Sequence, residues 1–395
     1  MRTPLVGVGS LIDTRFHERV DMKSGLGEHR GIRIGLRQNG NDLASEVARL
    51  RALLGELGLC SHTQLIVEGE SVVGRLRPET ARLWAPEFDT TQLAARLRAD
   101  IVCDEHDLER ETLAGLLLSP IELDFPDFDE FDSSRVIRTA TAQAAERTAL
   151  CFDVEQFRPE AYWQRTEAGS FTLREGCGLV QGLSAATQPG PDEPTYGFGC
   201  YRASEYVMLL AIASEAARCN PVLKQRLRER SRRRPIESRE FHDALLRELG
   251  TFDEPLPAQW FVPGDRVWFR NPDEHSADAE GYEGSWVIYM GGGLFSNFWK
   301  RDAPFTLARK CVEIFHWRNA TYRDDAGILR VDEEEVARRV AETEADPVEW
   351  RRVMERMSRW RDARGVYAEG GCMDRTRECA RWVRPETCDI AFAAS

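Results

Sequence analysis

The residue with the clearest chemical setting in this chain is Cys200, which follows two glycines, Gly197 and Gly199. Residues 206–213 are an almost unbroken apolar stretch, which predicts a helix buried on most sides, and Asn-Pro at 220–221 ends that helix. A cysteine in the first turn of a helix lies at the positive end of the helix dipole, which favours the thiolate. Most buried cysteines are inert, but this pattern is typical of a cysteine nucleophile in acyl transfer.

Two predicted strands follow this helix. The sequence Pro-Gly-Asp at 263–265 predicts a turn, and residues 266–269 alternate as a strand does. A second strand is predicted over 285–290, and three glycines at 291–293 close a hairpin. A cysteine that opens a buried helix, followed by such strands, resembles the NlpC/P60 group of papain-like folds.

A closer resemblance covers residues 158–299, well under half of the chain. Separate blocks occur there in the same order as in the small transglutaminases of spore coats in endospore-forming bacteria. The blocks are AYW at 161–163, FTL at 171–173, the Cys200 helix, PGDRVWFRNPD at 263–273 and YEGSWVI at 282–288. The resemblance implies an α+β fold with a papain-like core, in which a buried catalytic helix packs against an antiparallel sheet. It also implies acyl transfer through Cys200 from a protein glutamine to a primary amine such as lysine.

The resemblance departs at the residues that assist the cysteine. The strand glutamate of the family aligns with Ser285, its acidic residue before the cysteine with Gly199, and a later histidine with Phe298. Glu283 lies two residues before Ser285, so both side chains point to the same face of an extended strand. The displacement is roughly 7 Å, which a bulge at Gly284 would shorten. We therefore predict Glu283 as the base.

Other residues are candidates for substrate binding or for proton transfer. We predict that Phe198, Gly199, Ser285 and Trp286 contact the substrate, although aromatic rings such as these are more often simply part of the core. His275 lies in an acidic loop, and His316 follows residues 311–315, whose alternation predicts a strand. Either histidine is an alternative base, although structural roles are commoner for both.

The sequence leaves three functions open. The thioester on Cys200 is resolved by an amine in transamidation and by water in deamidation. A papain-like amidase or peptidase would use the same nucleophile. A catalytically degenerate member of the fold, which only binds protein, would explain Ser285 and Phe298.

Composition limits the remaining classes. The net charge is −13, which argues against nucleic-acid or anionic-membrane binding, and no apolar run is long enough to span a membrane. The ten irregularly spaced cysteines fit reduced thiols in the cytoplasm better than a disulfide framework. The cysteines near the C-terminus lack a zinc-binding spacing, so we predict no metal and no cofactor.

Four regions are predicted along the chain. Residues 1–122 form an α/β module that begins with a strand over 5–12 and is a candidate site for a protein partner. Residues 123–134 are an acidic linker with three phenylalanines, 135–325 the transglutaminase-like domain, and 326–395 a helical C-terminal extension.

Lysine is rare in this chain. Only four of the 53 basic residues are lysines. Few lysines would limit self-modification in an enzyme that acts on lysine, but a genomic bias in composition explains the same count.

Overall fold

The described part of the chain is a mixed α+β structure built around two larger sheets. The computed structural model describes residues 29–36, 42–101, 103–151, 157–190, 193–236, 238–362 and 370–392. The strand predicted over 5–12 lies outside these residues.

The first sheet has four strands in the order β2-β3-β1-β4, and only the β1–β4 pair is parallel. Its strands are β1 (Ile32–Gly35), β2 (Thr63–Glu68), β3 (Ser71–Leu76) and β4 (Leu123–Phe125). The helices of this region are α1 (Leu43–Glu56), α2 (Pro78–Trp84), α3 (Leu93–Asp100) and α4 (Asp107–Leu117). These strands and helices lie within residues 1–122, apart from β4 at residues 123–125, and the division of the chain into an N-terminal α/β module stays a prediction.

The second sheet has six strands, all paired antiparallel, in the order β11-β10-β9-β8-β14-β7. The strands are β7 (Leu246–Leu249), β8 (Arg266–Arg270), β9 (Gly284–Gly291), β10 (Leu294–Phe295), β11 (Phe305–Thr306) and β14 (Arg377–Ala380). Two separate hairpins are formed by β5 (Trp163–Arg165) with β6 (Phe171–Leu173), and by β12 (Thr321–Arg323) with β13 (Leu329–Val331).

The remaining helices surround this sheet. They are α5 (Phe128–Arg147), α6 (Leu179–Thr187), α7 (Cys200–Cys219), α8 (Pro221–Arg233), α9 (Ser238–Leu245), α10 (Glu274–Ala277), α11 (Leu307–Trp317), α12 (Glu333–Ala345) and α13 (Pro347–Met357). Helix α7 is the buried helix expected from the sequence, since thirteen of its twenty residues are buried. Among the described residues, no helix is both long and apolar enough to cross a membrane.

The predicted acidic linker is ordered secondary structure. Residues 123–125 are strand β4, and Asp127 caps α5 by accepting a hydrogen bond from the backbone N–H of Glu130 at 2.8 Å. Phe125, Phe128 and Phe131 are buried in the core of the first sheet. The segment therefore differs from the predicted acidic linker, because its three aromatic rings fill a core and two of its acidic residues, Asp127 and Glu130, are buried with them.

Two further expectations also fail. The C-terminal region, residues 326–395, is not only helical, because its strand β14 lies between β8 and β7 in the six-stranded sheet. Residues 311–315 lie in helix α11 rather than in a strand. Cys311, Val312, Ile314 and Phe315 are all buried, which is a helical period that a short apolar run cannot distinguish from strand alternation.

We predict that Phe131→Ala lowers the free energy of unfolding by about 3–5 kcal/mol, because its ring is fully buried between Phe125 and Phe128. Urea unfolding followed by circular dichroism measures this change. The matched control is Phe157→Ala, which removes the same ring from a side chain that is 45% exposed. Equal small effects of both substitutions would mean that residues 123–134 behave as a linker after all.

Candidate active site

Cys200 is the first residue of α7, and Gly199 is the N-cap. Gly199 has an extended backbone, with φ −84° and ψ 154°, and its carbonyl accepts the first helical hydrogen bond from Ala203 at 2.9 Å. The apolar run that follows, from Tyr206 to Ala213, anchors the helix in the core. The thiol is half-buried at the end of a rigid element.

A cavity of about 610 Å³ opens at this thiol. Cys200, Ser285 and Trp286 line it, together with Phe298 and residues of α11 and α12. A space of this size can accept an extended side chain and part of its backbone. The thiol therefore faces a substrate-sized site.

The electrostatic setting of Cys200 combines opposing effects. Burial raises the pKa of the thiol above its ordinary value. Backbone hydrogen bonds from Trp286 and Tyr201 and the ammonium of Lys310 act in the opposite direction, to lower the pKa. The sequence predicts that the positive end of α7 favours the thiolate, whereas in the structure burial is the largest effect and raises the pKa of the thiol.

A buried arginine connects the elements around Cys200. The guanidinium of Arg266 lies 3.8 Å from the ring centroid of Trp286 and 4.6 Å from that of Tyr201. Its Nε donates to Ser204 Oγ at 2.8 Å, and its Nη1 donates to the carboxylate of Glu378. Arg266 on β8 thus contacts the first turns of α7, strand β9 and strand β14 at once.

The aromatic ring of Trp286 is held on both sides. It stacks on Trp268 with an interplanar angle of 6° and a centroid distance of 5.5 Å, and Tyr201 meets it edge-on at 5.2 Å. The two tryptophans face each other across the β8–β9 pair. This packing fixes the backbone of Trp286 beside the Cys200 sulfur.

The predicted substrate-binding residues fall into two groups. Ser285 and Trp286 line the cavity. Phe198 does not: it is fully buried under the guanidinium of Arg158, 3.3 Å from its ring centroid, so its ring belongs to the core. Gly199 stands next to the thiol, and a Cβ there would meet no atom within 4 Å.

The base predicted from the sequence stands apart from this cavity. Glu283 has an exposed side chain and is not among the residues that line the cavity. Gly284 pairs with Arg270 in regular register, so the bulge that would have shortened the path is not there. A Cβ on Gly284 would approach Trp268 Nε1 and the carbonyl of Phe269 to 2.5 Å, which explains the glycine. Glu283 as the base remains a prediction without a contact to support it.

The two histidines lie elsewhere. His275 is exposed on the short helix α10, outside the cavity lining. His316 is buried on α11, with Nε2 2.7 Å from Thr343 Oγ1 and Nδ1 3.0 Å from Asn319 Nδ2. Burial lowers the pKa of His316. Its neighbours account for it as a structural residue of the C-terminal helices.

Sequence reasoning missed the charged pair on α11. Lys310 and Glu313 line the cavity that holds Cys200, and Lys310 Nζ lies 3.2 Å from Glu313 Oε1. The rarity of lysine was the one signal that pointed here, because Lys300 and Lys310 both line the cavity. Within the described ranges, no group of three or more His, Cys, Asp or Glu side chains could hold a metal ion.

We predict that Arg266→Met lowers the free energy of unfolding by about 3–5 kcal/mol, because it removes the arginine from the buried ion pair and leaves Glu378 with His242 alone. Urea unfolding measures the loss. Arg338→Met is the control, since Arg338 forms its ion pairs on the exposed face of α12 and should cost only about 0–1 kcal/mol. Similar small values for both variants would contradict the role given to Arg266.

The raised pKa of Cys200 predicts how its reactivity depends on pH. Only the thiolate is alkylated, so labelling of Cys200 by iodoacetamide should still be accelerating at pH values above about 8.5, the ordinary thiol pKa. Peptide mass spectrometry gives the rate at each pH, and an unfolded peptide with the same sequence serves as reference. A plateau already at neutral pH would show instead that the helix terminus dominates.

Comparison with known proteins identifies the family of this chain. The family model for protein-glutamine gamma-glutamyltransferase matches residues 91–366. A solved structure of a transglutaminase from Geobacillus stearothermophilus, without its C-terminal extension, is 18% identical. The alignment covers 54% of this chain and 98% of that one, with a TM-score of 0.39. No curated protein matches the chain. Since the family model spans more than half of the chain, the chain belongs to the protein-glutamine gamma-glutamyltransferase family, whose enzymes transfer the acyl group of protein glutamine side chains.

Proposed function

We propose that Cys200 is the nucleophile of this acyl transfer. The observation that carries the proposal is a thiol on the first turn of a buried helix that opens into a cavity of about 610 Å³. The backbone of Trp286 hydrogen-bonds to the sulfur, which stabilises the thiolate when it forms. The packing of α7 against the antiparallel pair β8–β9 supports a papain-like core for this part of the chain.

The reaction proceeds in two half-reactions. In the first, the thiol gives its proton to a base and the sulfur attacks the amide carbon of a glutamine side chain. The amide nitrogen leaves as ammonia after gaining that proton, and a thioester remains on Cys200. In the second, a primary amine attacks the thioester, loses a proton, and regenerates the thiol.

The cavity lining suits this substrate. Trp286 and Phe298 provide apolar walls for the methylene groups of a glutamine side chain, and Ser285 offers a hydroxyl at the same wall. Gly199 leaves open space beside the thiol through which a peptide backbone can approach. The substrate is a protein with an exposed glutamine, and the acceptor is a lysine or another primary amine. We also propose that the N-terminal module, residues 1–122, binds a protein partner.

We further propose a reducing compartment, the cytoplasm, as the place of action. All ten cysteines lie within the described residues, and none of them is in a disulfide. Such thiols persist where the surroundings keep them reduced.

We predict that Cys200→Ala abolishes incorporation of dansylcadaverine into dimethylated casein, a fall of at least ~10³-fold, because the proposed acyl intermediate is a thioester on Cys200. Fluorescence of the precipitated casein measures the incorporation. Cys219→Ala is the matched control, because Cys219 ends the same helix far from the cavity, and this variant should stay active. Equal activity of both variants would remove Cys200 from the reaction.

The same assay separates the alternative functions. Ammonia release without amine incorporation would identify a deamidase, and cleavage of the peptide backbone would identify a peptidase. Neither product from the wild type, with several amines and glutamine donors tried, would identify a protein-binding member of the fold.

A further inference from the structure

The cavity needs a carboxylate that the expected positions do not supply. The positions that align with the family's acidic residues carry Ser285 and Gly199, and neither side chain can accept a proton at neutral pH. Glu283 is exposed and lies outside the cavity lining. A lysine acceptor arrives as an ammonium, so a base must take its proton before the nitrogen can attack.

Two carboxylates line the cavity among the described residues, Glu313 and Glu333. Glu333 is exposed at the first residue of α12, where the hydroxyl of Tyr282 lies 3.4 Å from it. Glu313 is more enclosed, with 23% of its side chain exposed, and lies on α11 one turn after Lys310. Glu313 is thus the carboxylate that is both inside the cavity and adjacent to a cation acting on Cys200.

Lys310 connects Glu313 to the thiol. Its side chain is only 4% exposed, its ammonium lies 3.2 Å from Glu313 Oε1, and it sits 3.9 Å above the ring centroid of Phe305. The same ammonium lowers the pKa of the Cys200 thiol in opposition to burial. A buried ammonium with an anion on one side and a forming thiolate on the other can stabilise both.

The position of α11 is fixed by the sheet that carries Trp286. Thr306 caps the helix by accepting a hydrogen bond from the backbone N–H of Arg309 at 3.2 Å. Strand β11, which leads into the helix, pairs with β10, and β10 pairs with β9. On the other face, Cys311, Ile314 and Phe315 are buried in the core. The Lys310–Glu313 face is therefore held toward the cavity by the N-terminal end of the helix and by its buried opposite face.

We propose that Glu313 is the base of the second half-reaction and that Lys310 is a positioning residue, which orients Glu313 and stabilises negative charge on the Cys200 sulfur. The inference rests on the proposed role of Cys200. A proton moves from the substrate ammonium to Glu313 Oε, and the neutral nitrogen attacks the thioester carbon. The C–N bond forms, the C–S bond breaks, and the thiolate leaves beside the Lys310 ammonium. The proton still carried by the new amide nitrogen passes to this thiolate, and Glu313 returns its proton to water.

The choice of residue at position 310 agrees with this role. The chain uses arginine at 49 of its 53 basic positions, since four are lysines, and yet two of the four lysines line this cavity. An ammonium is a compact point charge, whereas a guanidinium would direct a planar fork of donors into the space of the substrate.

The test separates the two half-reactions in the full chain. The acyl donor is benzyloxycarbonyl-glutaminylglycine, the acceptors are cadaverine and hydroxylamine, and the readouts are the burst of ammonia, the mass of acylated Cys200 and the amide product. In Glu313→Gln we expect cadaverine incorporation to fall by about 10²-fold or more. The ammonia burst should remain, and the thioester should accumulate. At neutral pH hydroxylamine is mostly uncharged and needs no base to become nucleophilic. With hydroxylamine as acceptor, product formation in Glu313→Gln should therefore return to within a few-fold of wild type.

Three further variants make the test decisive. Glu334→Gln removes one exposed carboxylate outside the cavity lining and should behave as wild type. Glu283→Gln examines the base predicted from the sequence, and loss of the cadaverine reaction in this variant would assign the role to Glu283 instead of Glu313. Glu313→Asp keeps the carboxylate and should retain part of the cadaverine reaction, and it replaces Glu313→Gln if that variant does not fold.

Lys310 has its own readout. In Lys310→Met the pH profile of Cys200 alkylation should move to higher pH, because the thiolate loses its cation, and Lys310→Arg should restore much of the shift. An unchanged profile would overturn the role of Lys310.

The outcomes distinguish failure of this inference from failure of the proposed function. Full cadaverine activity in Glu313→Gln, or its loss in Glu283→Gln instead, overturns the assignment of Glu313 while Cys200 stands. A thioester that never appears on Cys200 in the wild type or in Glu313→Gln overturns the nucleophile itself, and this inference falls with it.

Discussion

The arrangement around the thiol depends on one buried cation, the guanidinium of Arg266. It stacks on Trp286 and Tyr201, donates to Ser204, and forms an ion pair with Glu378. A buried charge is tolerated only when its partners are in place, so the structure cannot move one of these elements without leaving the cation unpaired. The position of Cys200 relative to the β9 backbone is therefore set by an ion pair that lies behind the site.

This ion pair extends toward the surface. His242 Nδ1 lies 2.8 Å from the second oxygen of Glu378, and the hydrogen bond to that carboxylate raises the pKa of the histidine. Glu205, one helical turn after the thiol, is buried next to Arg202, and burial raises its pKa to about 7. Several ionisable groups thus lie within the helix–sheet interface behind the thiol. These charged groups lie outside the cavity lining, whereas the Lys310–Glu313 pair lies within it.

The sequence predicted the parts of the site that are encoded locally. The buried run after Cys200 required a helix, and the Pro-Gly-Asp turn and the glycine hairpin defined β8 and β9. The segment 123–134 was misread because its charges are those of a linker, while its three rings meet a core contributed by distant residues. Strand β14 pairs with β8 and β7, which lie more than a hundred residues earlier in the chain. No local sequence pattern predicts a pairing between strands that far apart. The sequence did not predict Lys310 and Glu313 as site residues for the same reason. The pairing of β9, β10 and β11 brings α11 to the cavity of Cys200, which lies more than a hundred residues earlier in the chain.

A buried carboxyl group, that of Glu111, joins the N-terminal region to the six-stranded sheet. Glu111 on α4 accepts hydrogen bonds from the backbone N–H of Gly292 and from the hydroxyl of Tyr289, at the hairpin that ends β9. Burial raises the pKa of Glu111 to about 7, so the folded state favours its protonated form. Because the pKa of Glu111 is higher in the folded state, its protonation stabilises the fold. This stabilisation is complete below the ordinary pKa of a glutamate and is lost as the pH rises through about 7.

At the other end of the same region, Glu130 on α5 accepts hydrogen bonds from the backbone N–H groups of Val383 and Arg384, at 2.9 Å each. Helices before the transglutaminase-like blocks therefore contact both the strand beside the thiol and the C-terminal segment that follows β14. The family match also begins inside this region, at residue 91. If the N-terminal region were an extra domain attached by a linker, the six-stranded sheet would form its hydrogen bonds without contributions from that region. Here two groups at the hairpin of β9, the Gly292 N–H and the Tyr289 hydroxyl, donate hydrogen bonds to Glu111 of α4, so this N-terminal helix contacts the strand that carries Trp286.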